Sequence, residues 1–258
     1  MTQPDKKILV EKTGPVTTFI LNRPQVRNAL DREATVLLTQ AIRDFEADDG
    51  ARAGVLWGAG GAFCSGADLK ELGGGTDYIP WAGSAEGPLH RRPSKPVIAA
   101  VAGHACAGGM GHALWCDLRV AEESAVFAIF SRRWGVPMSD GTTVRLTRLI
   151  GESRALDMLL TGRPIDAAEA QVMGLANRVV PEGQSRQSAE ELALRITEFP
   201  QIAMLSDRRS AQTQADLSEA EAIAQELALA EEARRKEAMQ GAKKFADGAG
   251  RHGAFDET

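Results

Sequence analysis

The sequence has little of what marks several classes of protein. It has three cysteines, Cys64, Cys106 and Cys116, in apolar segments and without the paired spacing of a metal site. Acidic residues outnumber basic ones by 35 to 30, so no positive excess favours nucleic acid or a membrane surface. No signal-type apolar core follows Met1, and no apolar run approaches membrane-spanning length. These absences predict a cytoplasmic protein with buried, reduced thiols and with no nucleic-acid or membrane partner.

Two glycine-rich stretches carry most of the information in the chain. The first, FCSGADLKEL at residues 63–72, follows the apolar run Ala53–Trp57. The second, GHACAGGMGH at residues 103–112, follows the apolar run Pro96–Val101. Each run predicts a buried strand, and each glycine-rich stretch leads into residues suited to a helix. Such turns leave main-chain N–H groups free to bind negative charge, and two of them can direct one N–H each at a single oxygen.

Other interpretations of the glycine-rich segments are open or excluded. A single strand–helix turn of this kind also occurs simply to allow close packing. The run Gly58–Gly61 is neither a phosphate loop nor a dinucleotide-binding fingerprint, because the later glycine and lysine are missing. Ser65 lacks the flanking glycines of a nucleophile elbow.

The rest of the chain predicts alternating strands and helices. Segments Ile8–Lys12 and Val16–Leu21 predict a hairpin, and Asp31 is suited to cap a helix after it. Residues 73–93, with three adjacent glycines and three later prolines, predict a surface loop that contacts substrate. Asp166 with Glu169 predicts a capping box for a short helix that ends at Gly174. After Pro181 the chain is predicted to be helical throughout, with Ser218 and Glu221 at the start of a long helix.

The chain resembles the crotonase family, the enoyl-CoA hydratase/isomerase group, over nearly its whole length. The resemblance rests on five segments in family order: 21–30 (LNRPQVRNAL), 63–68, 103–117, 134–151 and 167–175. It implies an α/β fold, a spiral of ββα units over residues 1–195 that holds an acyl-CoA site. It also implies a helical C-terminal region over residues 196–258 through which the chain forms a homotrimer or a dimer of trimers.

The resemblance also assigns roles to individual residues. Ala67 and Gly108 match the two positions whose N–H groups form the oxyanion hole for a thioester carbonyl. The positions implied to contact substrate or coenzyme A are Arg27, Ala67, Asp68, Leu69, Lys70, Gly108 and Trp134. The implied substrate is a coenzyme A thioester, with no metal and no separate cofactor. The place of Asp68 at a predicted helix start favours a helix cap for it, and Lys70 is equally suited to be a solvated lysine.

The sequence departs from the family where hydration needs proton transfer. Hydratases of the family place two glutamates after the second oxyanion turn, and the matching positions here are Gly111 and Ser131. Asp140 is the best replacement, since relatives place this segment at the active site; the alternative is a helix cap with Arg145 as its partner. His112 adjoins Gly111, but neighbours on a helix point about 100° apart, so a packed histidine is the simpler expectation.

Three functions remain open at this stage. The first is an acyl-CoA lyase of the enoyl-CoA hydratase/isomerase type that works through an enolate. The second is a divergent relative, a hydrolase or another lyase, with Asp140 as acid or base. The third is a non-catalytic acyl-CoA-binding protein, because both usual glutamates are absent.

Overall fold

The structure is a computed structural model that describes residues 6–75 and 90–250. The chain divides into two compact units, Met1–Ile196 and Thr197–Thr258. The strands are β1 (Ile8–Thr13), β2 (Val16–Leu21), β3 (Ala53–Gly58), β4 (Val97–Val101), β5 (His104–Cys106), β6 (Leu118–Glu122), β7 (Val126–Ala128), β8 (Ile165–Asp166) and β9 (Arg178–Val180). The helices are α1 (Arg32–Ala47), α2 (Leu69–Gly73), α3 (Gly108–Trp115), α4 (Thr142–Ile150), α5 (Glu152–Thr161), α6 (Ala167–Val172), α7 (Ser185–Glu198), α8 (Gln201–Thr213), α9 (Glu219–Ala233) and α10 (Met239–Ala246).

The strands of the first unit form two sheets. Six of them lie in the order β1-β2-β3-β4-β6-β9, with β1 and β2 antiparallel and the later pairs parallel. The other three lie in the order β5-β7-β8. Strands β2 and β4 are buried along their whole length. The sequence of β4 is apolar throughout, as expected of a parallel strand that is covered on both faces, whereas β2 also includes the buried Thr17 and Thr18. The alternating strands and helices confirm the predicted α/β class.

Local sequence explains the first elements. The predicted hairpin is confirmed, with Ile8 opposite Leu21 and Thr13 opposite Val16. Asp31 caps α1 as predicted: its Oδ1 accepts a hydrogen bond from Ala34 N at 2.8 Å. Leu38 and Phe45 are buried on the inner face of that helix. Phe45 packs edge-on against Phe19 of β2 with ring centroids 5.4 Å apart, so α1 is held against the sheet.

The second glycine-rich stretch differs from the simple strand–turn–helix that the sequence predicts. Between β4 and α3 the chain forms a further strand, β5, which pairs with β7 in the smaller sheet. Cys106 N donates to Cys64 O at 2.9 Å and Cys64 N donates to His104 O at 2.9 Å. This pairing joins β5 to the start of the first glycine-rich turn. The connection depends on partners 40 residues apart, which a local pattern does not contain.

The second unit consists of helices. Ser218 and Glu221 form a capping box at the start of α9, as their spacing predicts. Ile223 and Leu227, on one face of α9, are 52% and 57% exposed. Over residues 6–75 and 90–250, no helix combines the length and the apolar character that a membrane crossing requires.

Candidate functional site

The first turn presents Ala67 in a defined orientation. Ala67 forms an isolated parallel bridge with Leu30. Leu30 N donates to Gly66 O at 2.8 Å, and Asp68 N donates to Leu30 O at 3.0 Å. In a parallel bridge of this pattern the N–H of the central residue points away from the partner strand. The Ala67 N–H therefore faces away from Leu30, and no main-chain acceptor for it is found in the described part of the chain.

Asp68 stabilises the end of this turn. It is the N-cap of α2 and its Oδ1 accepts from Lys70 N at 3.1 Å. Its Oδ2 lies 3.1 Å from both Nη1 and Nη2 of Arg23, which also pairs with Asp31 at 3.1 Å. The carboxylate is thus committed to a helix cap and an ion pair, the structural alternative noted for it. Lys70 itself is exposed.

The second turn presents Gly108 from a strained backbone. Ala107, the residue before α3, has φ 49° and ψ −121°, which side-chain-bearing residues adopt at a cost. Ala107 N donates to Ala128 O at 2.9 Å, which holds the strained residue against β7. Gly108 is the first residue of α3, so its N–H is one of those without an acceptor inside the helix.

The two turns lie against each other. Gly66 has φ +95°, and a Cβ built on it would lie 2.7 Å from Gly108 N. A Cβ built on Gly108 would lie 3.6 Å from Ala67 N and 3.6 Å from Asp140 Oδ2. The Ala67 amide, Gly108 and the Asp140 carboxylate therefore converge on one place. All three residues line the same cavity.

Asp140 occupies the space that the side chain of residue 111 would fill. A Cβ built on Gly111 would lie only 2.3 Å from Asp140 Oδ2 and 2.9 Å from Thr142 Oγ1. Asp140 Oδ1 accepts from Thr142 N at 3.1 Å, while Arg145 Nη1 donates to the main-chain carbonyl of Asp140 at 3.0 Å. One carboxylate oxygen therefore binds the start of α4 and the other lies beside Gly108 and Gly111.

Burial changes the chemistry of this carboxyl group. Asp140 is 6% exposed, and desolvation raises its pKa above the ordinary value for aspartate. Hydrogen bonds from Thr142 and the charge of Arg145 oppose that shift. A raised pKa lies closer to neutral pH, where a carboxyl group can both give and take a proton during catalysis. Among the described residues that line the cavity, Asp140 is the only carboxylate.

Another part of the cavity lining comes from the segment that contains Ser131. Ser131 is buried and its Oγ donates to Met138 Sδ at 3.2 Å. Trp134 ends the same 3-10 helix, Phe130–Trp134, and is 70% exposed. Leu69, at the start of α2, is 44% exposed. Trp134 and Leu69 both line the cavity, which makes much of its surface apolar.

Arg27 lies in a turn with an unusual backbone. Arg27 and Asn28 have φ 50° and 55°, and Arg27 O accepts from Ser65 N at 3.0 Å. The buried Asn28 side chain bonds to Arg23 N and to the carbonyls of Ala59 and Ala62. Asn28 is a supporting residue that sequence reasoning missed; the signal was an asparagine in a turn, the residue type that best tolerates positive φ. The Arg27 side chain is exposed.

His112 is buried beside the second turn. It is 1% exposed, and its Nδ1 donates to Gly108 O at 2.5 Å. Burial lowers its pKa to about 4, so the ring is neutral near pH 7. The expectation of a packed histidine is confirmed, and the hydrogen bond to Gly108 was not foreseen.

Three further expectations concern the cysteines, a metal site and the substrate loop. Cys64 and Cys106 are buried, and desolvation raises the pKa of each to about 12, so both remain thiols. Within the described residues no group of three His, Cys, Asp or Glu side chains is arranged to bind a metal. Most of the predicted substrate loop at 73–93 falls on residues 76–89, outside the described residues.

Comparisons with known proteins show the family of the chain. The family profile described as enoyl-CoA hydratase/isomerase matches residues 11–251. The enoyl-CoA hydratase EchA19 of Mycobacterium tuberculosis is 41% identical over 209 residues, 78% of this chain and 79% of that protein. A crystal structure of enoyl-CoA hydratase from Mycobacterium tuberculosis superposes with a TM-score of 0.88 at 30% identity, covering 93% of this chain and 96% of that one.

A second solved structure gives the same result. The enoyl-CoA hydratase EchA1 from Mycobacterium marinum has a TM-score of 0.88 at 31% identity and covers 93% of this chain and 96% of its own. Profile, sequence relatives and solved structures therefore agree over most of the length. The chain belongs to the enoyl-CoA hydratase/isomerase family.

Proposed function

We propose that this enzyme binds an acyl-CoA thioester and stabilises its enolate with the N–H groups of Ala67 and Gly108. The observation that carries the proposal is the convergence of these two positions and Asp140 Oδ2 on one cavity. The thioester oxygen accepts both hydrogen bonds as negative charge develops on it. Donors of this kind, fixed before the reaction, favour the transition state over the ground state.

Asp140 carries the proton in this proposal. With a thioester oxygen beside Gly108, Asp140 Oδ2 is the acid–base group next to the carbon that gains or loses a proton. Its hydrogen bond from Thr142 N uses Oδ1, which leaves Oδ2 for the substrate. The pKa of Asp140, raised by burial, suits such a role. The reaction is of the enoyl-CoA hydratase/isomerase type, and lyase activity is the first reaction to test.

A second candidate rests on a specific observation. Water addition by two carboxylates needs a second one, whereas Ser131 is bonded to Met138 and Asp140 takes the volume beside Gly111. A reaction that needs only one carboxylate, such as another lyase step or thioester hydrolysis through Asp140, fits this lining. Acyl-CoA binding without turnover is the third possibility and an outcome of the test.

Turnover of crotonyl-CoA and of a panel of acyl-CoA thioesters tests these functions. Asp140→Asn keeps the Thr142 hydrogen bond but cannot exchange the proton, so we expect turnover to fall by at least about 100-fold. Asp166→Asn is the matched control, because Asp166 caps α6 by accepting from Glu169 N at 2.8 Å, outside the cavity. Equal turnover by Asp140→Asn and the control would overturn the role of Asp140.

Two further results separate the candidate functions. Hydration of crotonyl-CoA by the unaltered enzyme supports the hydratase type, and enhanced hydration by Ser131→Glu would show that a second carboxylate was lacking. Binding of every thioester with no turnover supports the non-catalytic alternative.

Assembly and ligand contacts complete the proposal. We expect residues 196–258 to serve oligomerisation, as a homotrimer or a dimer of trimers. Arg27 and Lys70 are exposed near the two turns, which fits contacts with the coenzyme A part of the substrate. Trp134 and Leu69 supply an apolar rim for the acyl or pantetheine chain.

A further inference from the structure

The second amide donor is carried by the most flexible residue type in proteins. Gly108 is followed by Gly109, and glycine loses more conformational freedom on folding than any other residue. The preceding residue, Ala107, is held in a strained conformation that relaxes unless its surroundings prevent it. An N–H that stabilises charge must be fixed before the charge forms. Something beyond local backbone preference therefore has to hold Gly108.

His112 provides such a restraint from within the same helix. Its Nδ1 donates to the carbonyl of Gly108 at 2.5 Å, one turn away along α3. The ring is 1% exposed and is packed beside the cavity, so solvent does not compete for this bond. Burial keeps the ring neutral, and the proton on Nδ1 is required because a carbonyl only accepts. The carbonyl side of Gly108 is fixed while its N–H side faces the cavity.

We infer that His112 is a positioning residue that orients the Gly108 amide, and that it does not exchange a proton with substrate. This inference rests on the proposed role of Gly108 as a donor to the thioester oxygen. If the bond to His112 is lost, the Gly108 carbonyl keeps only the main-chain restraint of α3, while the cavity walls at Ala67 and Asp140 keep their own contacts. The loss falls on charge stabilisation and leaves the binding of the thioester largely intact.

Two substitutions distinguish positioning from packing. His112→Leu fills the buried space with a side chain of comparable reach but removes the donor. His112→Asn places an amide N–H near the former Nδ1 position, yet leaves a larger void than leucine. We expect kcat to fall about tenfold in His112→Leu, less than the 100- to 1,000-fold loss on removal of a whole oxyanion donor. We expect KM to stay within about twofold, and His112→Asn to recover most of kcat.

A vibrational measurement separates this inference from the proposed function. The carbonyl stretch of a bound, carbon-13-labelled thioester moves to lower frequency when two N–H groups polarise it. We expect that shift in the unaltered enzyme, a smaller one in His112→Leu and recovery in His112→Asn. No shift in the unaltered enzyme would overturn the proposed function. A full shift in both variants would overturn the inference about His112 alone. A larger shift in His112→Leu than in His112→Asn would also overturn it, because the shift would then depend on side-chain volume and not on the donor.

Discussion

The two turns that meet at the cavity orient their amides by different means. The turn at Ala67 is held by main-chain hydrogen bonds to Leu30 and by the ion pair of Asp68 with Arg23. The turn at Gly108 is held by the main-chain hydrogen bond from Ala107 N to Ala128 O, by close packing and by the His112 hydrogen bond, and its backbone is strained at Ala107. An unstrained turn tolerates the loss of one contact, whereas a strained turn relaxes more readily when one of its restraints is removed. We therefore expect the second turn to be the more sensitive of the two.

The junction between the turns is the place where one substitution affects both. Gly66→Ala puts a Cβ 2.7 Å from Gly108 N at φ +95°, so we expect turnover to fall more than about 100-fold and stability to fall by about 1–3 kcal/mol. The control is Gly61→Ala, at φ +79° with no atom within 4 Å of the added Cβ. Kinetics and urea unfolding of both check this. Comparable activity losses in the two variants would contradict the importance of the junction.

The first turn is tested through its ion pair. Arg23→Gln removes the charged contacts with Asp68 and Asp31, whose side chains are mostly buried, and we expect a loss of about 2 kcal/mol in unfolding free energy. We expect kcat to change less than in His112→Leu, because the main-chain hydrogen bonds of Leu30 with Gly66 and Asp68 remain. Arg163→Gln, an arginine paired with Asp157 and Glu169 at the surface, is the control for stability. A kcat loss that exceeds that of His112→Leu would reverse the comparison.

The surroundings of the second turn are tested through Asp140, whose carboxylate lies beside Gly108 and Gly111 and affects the stability of the fold. The pKa of Asp140 is raised in the folded state, so folding binds its proton more tightly than the unfolded chain does. Above that raised pKa the buried charge destabilises the fold, and the penalty disappears as pH falls through it. We expect Asp140→Asn to raise Tm slightly at pH 7, with the advantage over the unaltered enzyme shrinking toward pH 4. A lower Tm for the variant at pH 7 would contradict this.

The smallest expected effect belongs to the exposed edge of the first turn. Lys70→Ala should raise KM for a coenzyme A thioester about threefold and leave kcat unchanged, because an exposed charge contributes little. Lys12→Ala, at an exposed lysine of the hairpin that pairs with Asp48 at the end of α1, is the control and should leave KM unaltered. Steady-state kinetics at two salt concentrations measure both. An unchanged KM in Lys70→Ala would remove this residue from the coenzyme A site.

Local patterns predicted much of the scaffold. The hairpin of β1 and β2 and the caps at Asp31 and Ser218 depend on residues within a few positions of each other, and each was confirmed. Asp166 caps α6 as the spacing predicts, but the side chain of Glu169, expected to complete a capping box, instead pairs with Arg163. A rule based on residue spacing does not account for a third residue, here Arg163, that competes for the Glu169 carboxylate.

The sequence alone determined the α/β class, the two glycine-rich turns and the absence of glutamate at positions 111 and 131. These follow from residue type and short-range periodicity. Only the tertiary structure decided that Asp140 fills the space beside Gly111, that β5 separates β4 from α3, and that His112 bonds to Gly108. The first two bring together groups tens of residues apart. The third depends on which way a ring turns inside a packed helix, and burial against neighbouring elements sets that direction.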